Sequence, residues 1–178
     1  MIPAITMRSF SDEFKTGTYE ILQTKPLSRW QIIGGKYLGS LLIAVIALLP
    51  TVLYTISLQA LSENAGLDTG ATIGSYTGLL LLSAVFTAIG ICSSSFTGNA
   101  VVAFIISAFA CFLFYNGFDA ISRIPAFHAG ADYYLEMLGI NFHYTSISRG
   151  LIDSRDVVYF LSLVFFFLSL IHYKLVRR

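Results

Sequence analysis

The chain has 178 residues, of which 56% are hydrophobic and only 12% charged, and its mean hydropathy is +0.74. Soluble domains carry about a quarter charged residues, so this composition excludes an ordinary soluble fold and favours membrane spans of roughly twenty apolar residues each. The net charge of +1 gives no bulk positive charge for nucleic-acid binding, and we expect no nucleic-acid partner.

The chain begins with apolar residues 1–7, which predict the end of a span, and continues into a polar segment, residues 8–36. Residues 8–14 are predicted to continue the same helix, with polar side chains, where it leaves the membrane. Gly17 then predicts a break, because glycine destabilises a helix interior.

A short helix is predicted over residues 19–23. Thr16 or Thr18 could cap its first turn, and Glu20 lies where the helix dipole favours an acidic side chain. Pro26 disfavours the helical state in the residue before it and therefore ends the helix.

The next helix is predicted to begin at Ser28, which forms a capping box with Gln31. The short helix before it therefore lies between two helices that enter the membrane, and it displays Ile21 and Leu22. Two interpretations stay open from the residues alone. The helix could rest on the lipid surface as an interfacial helix, or it could dock into a soluble partner.

Four apolar runs follow, each long enough to cross a bilayer and each without an acidic or basic residue. Because backbone groups in lipid must be hydrogen-bonded within a segment or around a closed barrel, continuous apolar runs predict helices. Glycine pairs spaced for close helix packing lie near the ends of two runs, at Gly35/Gly39 and Gly74/Gly78. The predicted spans are residues 37–61, 73–91, 100–118 and 157–173.

The basic residues predict the orientation of these spans. They are concentrated before the first span and after the last, and the loop from residue 62 to residue 72 has none. By the positive-inside rule, both ends of the chain are expected to be cytoplasmic, and residues 93–99 are expected to form a short cytoplasmic turn.

Residues 119–156 form the predicted outer loop, in which aromatic residues suggest short interfacial or re-entrant helices. Asp153 can cap the last span and Asp156 lies in its first turn, a role at least as plausible as substrate contact. Together with Arg149 they are the candidate outer-loop site residues. His143 also lies in this loop, without the spacing of a metal site.

The segment Thr6–Ser28 resembles the loop between the second and third spans of ABC-2-type permeases. The resemblance rests on an acidic and basic stretch, a Gly-Thr-x-Glu motif at residues 17–20, two aliphatic residues, a proline and a later Gly35-Lys36 pair. It implies that the short helix is a coupling helix, which sits in a groove of a separate ATP-binding subunit. The implied coupling residues are Lys15, Gly17, Thr18, Glu20, Ile21, Leu22, Lys25 and Pro26.

The whole chain is similar, more narrowly, to the gliding-motility-associated permeases of gliding bacteria, notably at residues 2–10 and 142–156. A related permease for copper-enzyme maturation shares much of the pattern, so both assignments stay open. Family members have six spans, and we therefore expect that this chain lacks the first two, through a misassigned start, a fragment or a truncated gene.

The resemblance implies an all-α integral membrane domain over residues 1–178 that acts as the permease subunit of an ATP-driven exporter in the bacterial inner membrane. The implied partners are the ATP-binding subunit, a second permease copy or related membrane subunit, and membrane lipid. We expect no catalytic residue, cofactor or metal in the chain itself, since ATP is bound by the partner.

Two other classes of function remain as alternatives. A membrane enzyme acting on lipids would need a nucleophile, a metal cluster or an acid pair, and the sequence has no matching catalytic motif. A non-transporting scaffold for motility machinery would need only the spans. The predicted spans contain no charged residue, which disfavours an ion-coupled carrier.

Overall fold

The computed structural model describes residues 1–61, 68–122, 136–151 and 153–177. Three short helices come first: α1 (Ile2–Thr6), α2 (Ser11–Thr16) and α3 (Thr18–Gln23). Two long helices follow, α4 (Arg29–Leu61) and α5 (Thr69–Phe96). Helix α6 (Ala100–Phe112) continues through a π-helical turn (Leu113–Gly117) into α7 (Phe118–Ser122), and α8 (Ile140–Ser148) precedes the last helix, α9 (Ser154–Val176).

The predicted all-α membrane fold is confirmed, because the four apolar runs all lie in helices long and apolar enough to cross a membrane. Each helix extends beyond its predicted span, α4 and α5 most of all. Helix α8 is a short helix before the last span, as predicted. Residues 62–67 and 123–135, on which parts of the predicted loops fall, lie outside the described residues.

Helix α5 lies at the centre of the bundle, where it packs against α9, α6, α8, α1 and α4. Within the described chain, 61% of its most apolar stretch is buried, compared with 6% for α4. Three of its buried hydroxyls are satisfied inside the helix: Ser83, Thr87 and Ser93 donate to carbonyl oxygens four residues earlier, at 2.7–2.9 Å. This pairing lets polar side chains occupy the centre of an apolar bundle.

Side-chain caps begin the four long helices. Ser28 and Gln31 form the predicted capping box of α4, with the Ser28 N–H donating to Gln31 Oε1 at 2.9 Å and the Gln31 N–H donating to Ser28 Oγ at 3.3 Å. Asp68, Asn99 and Asp153 accept hydrogen bonds from the first N–H groups of α5, α6 and α9. The predicted capping role of Asp153 is therefore confirmed, and each cap satisfies donors that a helix leaves unpaired.

The prediction of a turn over residues 93–99 is wrong in its first half. Helix α5 continues to Phe96, and Ser93, Ser94 and Ser95 are buried in it. The turn itself is residues 97–99. Three consecutive serines favour a turn locally, but here contacts with α1 and α2 override that preference.

Only one of the two glycine pairs makes close contacts within the described chain. A Cβ on Gly74 would lie 2.3 Å from the carbonyl oxygen of Ile147, and a Cβ on Gly78 would lie 3.2 Å from the Tyr144 ring, so this pair packs against α8 as predicted. The prediction for Gly35 and Gly39 is wrong here, because a Cβ at either position would meet no atom within 4 Å.

The two ends of α5 define the two ends of the bundle. Gly90, near its C-terminal end, touches Thr6 of α1 so closely that a Cβ there would overlap the threonine hydroxyl. Lys174 near the end of α9 lies over the ring of Phe96. Residues 1–27 and the C-terminal turn of α9 thus share one end of the bundle, and α8 with the start of α9 occupies the other.

Candidate coupling site

Helices α2 and α3 meet at Gly17, which has φ +72° and ψ 4°. This left-handed conformation is readily adopted by glycine and strained for most other residues. The prediction that a threonine caps α3 is wrong: Gly17 holds the cap position, the Thr16 hydroxyl donates to the Asp12 carbonyl at 2.8 Å, and the Thr16 and Thr18 hydroxyls lie 3.0 Å apart.

Three aromatic rings hold α2 and α3 together. The rings of Phe10 and Phe14 are 5.8 Å apart, and Tyr19 meets Phe14 edge-on at 5.1 Å. Phe10 and Tyr19 are buried. Because such aromatic pairs contribute about 0.5–1.5 kcal/mol beyond their buried area, the two short helices form a compact unit.

Ser94 of α5 caps α2 from outside. Its Oγ accepts from the backbone N–H groups of Phe10 and Ser11, at 3.0 Å each, and donates to the Met7 carbonyl at 2.9 Å. Helix α2 has no side-chain cap of its own. The Ser94 hydroxyl therefore accepts the hydrogen bonds that a Ser or Asp at the N-cap position usually accepts. The predicted continuous helix from the membrane through residues 8–14 is therefore wrong, because the chain bends at residues 7–10 onto Ser94.

Lys36 of α4 is the second anchor. Its ammonium group donates to the Ser9 carbonyl and to Glu13 Oε1, both at 2.5 Å, and lies 4.7 Å from the centre of the Phe10 ring. The Lys36 and Glu13 side chains are both mostly buried. A charge-assisted hydrogen bond in such surroundings is stronger than a neutral one, so the loop is fixed to α4 as well as to α5.

The predicted coupling residues form the outer side of this unit. Ile21 is exposed over 64% of its surface, whereas Leu22 is half-buried and packs against the core. Only one of the two aliphatic residues is therefore displayed. The other predicted residues are exposed: Lys15, Gly17, Thr18, Glu20, Lys25 and Pro26.

The anchoring residues Ser94 and Phe10 were missed by sequence reasoning, and Lys36 was noted only as part of a motif. A lysine at the entrance of an otherwise uncharged span was the available signal, since such a charge needs a partner. No such signal indicated Ser94, because its hydrogen-bond partners lie more than eighty positions away in the chain.

At the other end of the bundle, the structure brings together the candidate outer-loop residues. Arg149, Asp153 and Asp156 line one cavity of about 460 Å³ between α8 and the start of α9. His143, which the sequence did not select, lies beside them, with Nδ1 2.6 Å from Asp156 Oδ1. Asp156 is therefore buried in an ion-pair geometry rather than left at the helix end as a free first-turn carboxylate.

A family model described as ABC-2 family transporter protein matches residues 1–130, more than half of the chain. The chain belongs to the ABC-2 transporter family. The matched residues include the anchored loop and the three long helices that follow it. Comparison with curated proteins finds no match.

As an ABC-2 family member, the chain is a multi-pass membrane permease subunit of a transporter. Permeases of this family generally work with an ABC ATP-binding subunit. The compact unit of α2 and α3 lies outside the four long apolar helices and carries exposed charged residues.

Proposed function

We propose that this permease couples ATP hydrolysis in a separate ATP-binding subunit to export across the bacterial inner membrane, with α3 as the docking helix. The observation that carries the proposal is the double anchoring of the α2–α3 unit. Ser94 ties it to α5 and Lys36 ties it to α4, so a displacement of α3 moves two long helices together.

The exposed side of the unit has the composition of a small docking surface. The exposed residues of the unit combine one large apolar side chain, Ile21, with the charged Lys15, Glu20 and Lys25. An apolar centre with a polar rim is the usual arrangement of protein interfaces, and opposite charges on a partner would set the orientation of docking.

The proposed orientation places residues 1–27 and the C-terminus in the cytoplasm. Basic residues are concentrated at that end of the bundle, which is the pattern of the positive-inside rule. They are Arg8, Lys15, Lys25, Arg29, Lys36, Lys174 and Arg177.

Co-purification with the ATP-binding subunit tests the docking role. We expect Glu20→Lys combined with Ile21→Asp to abolish co-purification, because it reverses one rim charge and places a charge in the apolar centre. The matched control, Glu136→Lys with Leu151→Asp, changes the same charges at exposed positions of the opposite end and should retain the subunit. Unchanged binding of the first variant would refute the docking role.

Cysteine labelling separates docking from an interfacial helix resting on lipid. Cys92 and Cys111 are buried, so Ile21→Cys provides one reactive thiol in permeabilised membranes. Docking predicts rapid reaction with a charged maleimide when the ATP-binding subunit is absent and protection when it is bound. Equal protection without the subunit would support the interfacial helix and contradict the proposal.

A second permease copy, or a related membrane subunit, is the proposed partner of α4. Within the described chain α4 contacts its neighbours along one narrow side, and most of its large apolar residues are exposed. Cross-linking between Leu42→Cys residues of two permeases in native membranes is the expected result. Absence of cross-links at several exposed α4 positions would count against a second copy there.

The narrower assignment, a gliding-motility-associated exporter, is supported by the similarity of residues 2–10 and 142–156. Restoration of gliding in a strain lacking its own permease tests it. Restoration of a copper enzyme instead would favour the maturation permease. If gliding is restored even with an ATPase-inactive partner, the chain acts as a scaffold and export is refuted.

A further inference from the structure

The cavity between α8 and α9 has a charged wall with both signs. Its volume is about 460 Å³, within the ordinary range for small-ligand sites. The acidic residues that line it are Glu136, Asp153 and Asp156, and the basic ones are Arg149 and Arg155. Because the two signs nearly balance, the cavity fits a ligand group that carries both charges better than one with a large net charge.

One of the acidic residues that line the cavity, Asp156, has a buried carboxylate oxygen without a hydrogen-bond donor. His143 Nε2 lies 2.9 Å from the Met137 carbonyl, which can only accept, so this nitrogen carries a proton. Nδ1 of the same ring lies 2.6 Å from Asp156 Oδ1. Asp156 Oδ2 is buried and has no hydrogen-bond partner among the described residues, a state that carries a free-energy cost. A donor on a ligand would remove that cost.

The basic side has two guanidinium groups available for an anion. Arg149 lies at the end of α8 and Arg155 in the first turn of α9, and both are exposed. Neither guanidinium is hydrogen-bonded or ion-paired within the part of the chain that the structure describes. Arginine binds phosphate and carboxylate groups through paired hydrogen bonds, so this wall is suited to a phosphate.

An apolar groove continues from the cavity along α9. Its volume is about 630 Å³, and it shares Met137, His143 and Arg155 with the cavity. Leu138 and Val158 line the groove and are exposed. Helix α9 is long and apolar enough to cross a membrane, so an alkyl chain could occupy this groove.

Tyr159 lies beside His143, which lines both the cavity and the groove. Its hydroxyl donates to the Leu138 carbonyl at 2.5 Å, and its ring stacks on His143 with centroids 4.0 Å apart. The ring therefore lines the apolar groove beside His143.

We propose that the cavity and groove together bind one phospholipid with a phosphoethanolamine headgroup. The phosphate pairs with Arg149 and Arg155, the ammonium group lies against the acidic lining that includes Asp156, and an acyl chain lies in the groove. This binding is at the end of the bundle opposite the α2–α3 unit, and it requires no ATP-binding subunit. Its failure and the failure of the proposed coupling are therefore separate results.

Lipids that differ in one headgroup property test the proposal. The purified permease in detergent is titrated with short-chain phosphatidylethanolamine, phosphatidylcholine and phosphatidylglycerol, and binding is measured by native mass spectrometry. Phosphatidylethanolamine should bind at least tenfold more tightly than the other two, because the choline group has no N–H donor and the glycerol headgroup leaves a net negative charge. Equal binding of the three lipids would overturn the proposal.

Free phosphoethanolamine distinguishes a lipid from a soluble ligand with the same headgroup. It should bind at least tenfold more weakly than the lipid, because it leaves the groove empty. Binding as tight as that of the lipid would overturn the assignment of a lipid as the ligand.

Variants of the cavity assign the headgroup contacts. Arg149→Gln with Arg155→Gln should weaken phosphatidylethanolamine binding at least tenfold, and both positions are exposed, so the fold should persist. Asp156→Asn should remove the preference over phosphatidylcholine. The control, Arg8→Gln with Arg177→Gln at the opposite end, should bind normally. Normal binding by the cavity double variant overturns the proposal, whether or not the Asp156 variant folds.

Discussion

The contact between Gly74 of α5 and α8 is tight enough for one methyl group to test the packing of the bundle. A Cβ on Gly74 would lie 2.3 Å from the Ile147 carbonyl oxygen and 2.8 Å from the Gly150 Cα. Both are backbone atoms, so no side-chain rotation can relieve the overlap. Gly74→Ala must therefore push α8 away from α5.

The size of this effect follows from two opposing terms. Ordinary contact with the Ile147 carbonyl requires α8 to retreat by about 1 Å, and overpacking of this kind typically costs about 1–3 kcal/mol. Alanine is better than glycine inside a helix by about 1 kcal/mol. Because the obstructing atoms are backbone, we take the upper part of the range and expect a net loss of about 2 kcal/mol in the free energy of unfolding.

Thermal unfolding of the purified chain in detergent, followed by circular dichroism, measures this loss. For a protein of this size a change of 1 kcal/mol shifts the midpoint by about 2–4 °C, so Gly74→Ala should lower it by about 4–8 °C. Gly39→Ala is the matched control, because a Cβ there meets no atom within 4 Å and the midpoint should stay or rise. A midpoint for Gly74→Ala at or above that of the unmodified chain would show that the described contact is not made.

Three further predictions concern the α2–α3 unit. Ser94→Ala leaves the N–H groups of Phe10 and Ser11 without an acceptor and should lower the free energy of unfolding by about 1–3 kcal/mol, measured by the same thermal assay. Gly17→Ala forces an alanine into the left-handed region at about 1–2 kcal/mol, and it should speed tryptic cleavage after Lys15 more than Gly17→Asn does. Lys36→Met removes the ammonium contacts while keeping an apolar stem, and should uncouple ATP hydrolysis from transport in the assembled transporter.

Each of these three changes has a control and a contradicting outcome. Ser95→Ala removes a hydroxyl that bonds only within α5, and it should cost less than Ser94→Ala; equal losses would argue against the external cap. Equal rates of cleavage after Lys15 in Gly17→Ala and Gly17→Asn would show that backbone strain at position 17 does not control the cleavage. Arg29→Met, the control for Lys36→Met, changes an exposed basic residue of the same helix that is not assigned to docking. Equal effects of Lys36→Met and Arg29→Met would reject the α4 anchor.

The long helices could be read from the sequence because membrane spans impose a strong and simple condition on composition. The caps were readable for a related reason: Ser28 with Gln31, and Asp153 before the last span, are local patterns that act within one turn. What the sequence could not supply were contacts between distant segments. Ser94 was interpreted as part of a turn, since nothing near it in the chain shows that it accepts hydrogen bonds from Phe10 and Ser11.

The candidate sites also combine features that local sequence patterns indicate with contacts between distant segments that they do not indicate. The exposed residues of α3 were predicted from a local motif, and Ile21 is exposed as expected. Leu22 is not, because the aromatic core of the α2–α3 unit turns it inward. The pair His143 and Asp156 is thirteen positions apart and spans two helices, so neither helical periodicity nor a metal-site spacing could indicate it.

The external cap on α2 has a consequence for how the permease opens locally. A helix capped by a residue of its own N-terminus can fray and reform while its surroundings stay folded. Helix α2 is capped by Ser94 of α5, so it loses the cap whenever it separates from α5. Regions that share such contacts unfold and refold as one cooperative unit. Residues 7–16 therefore belong to the same cooperative unit as the centre of the bundle, with the protection from hydrogen exchange that this implies, and independent melting of this segment is suppressed.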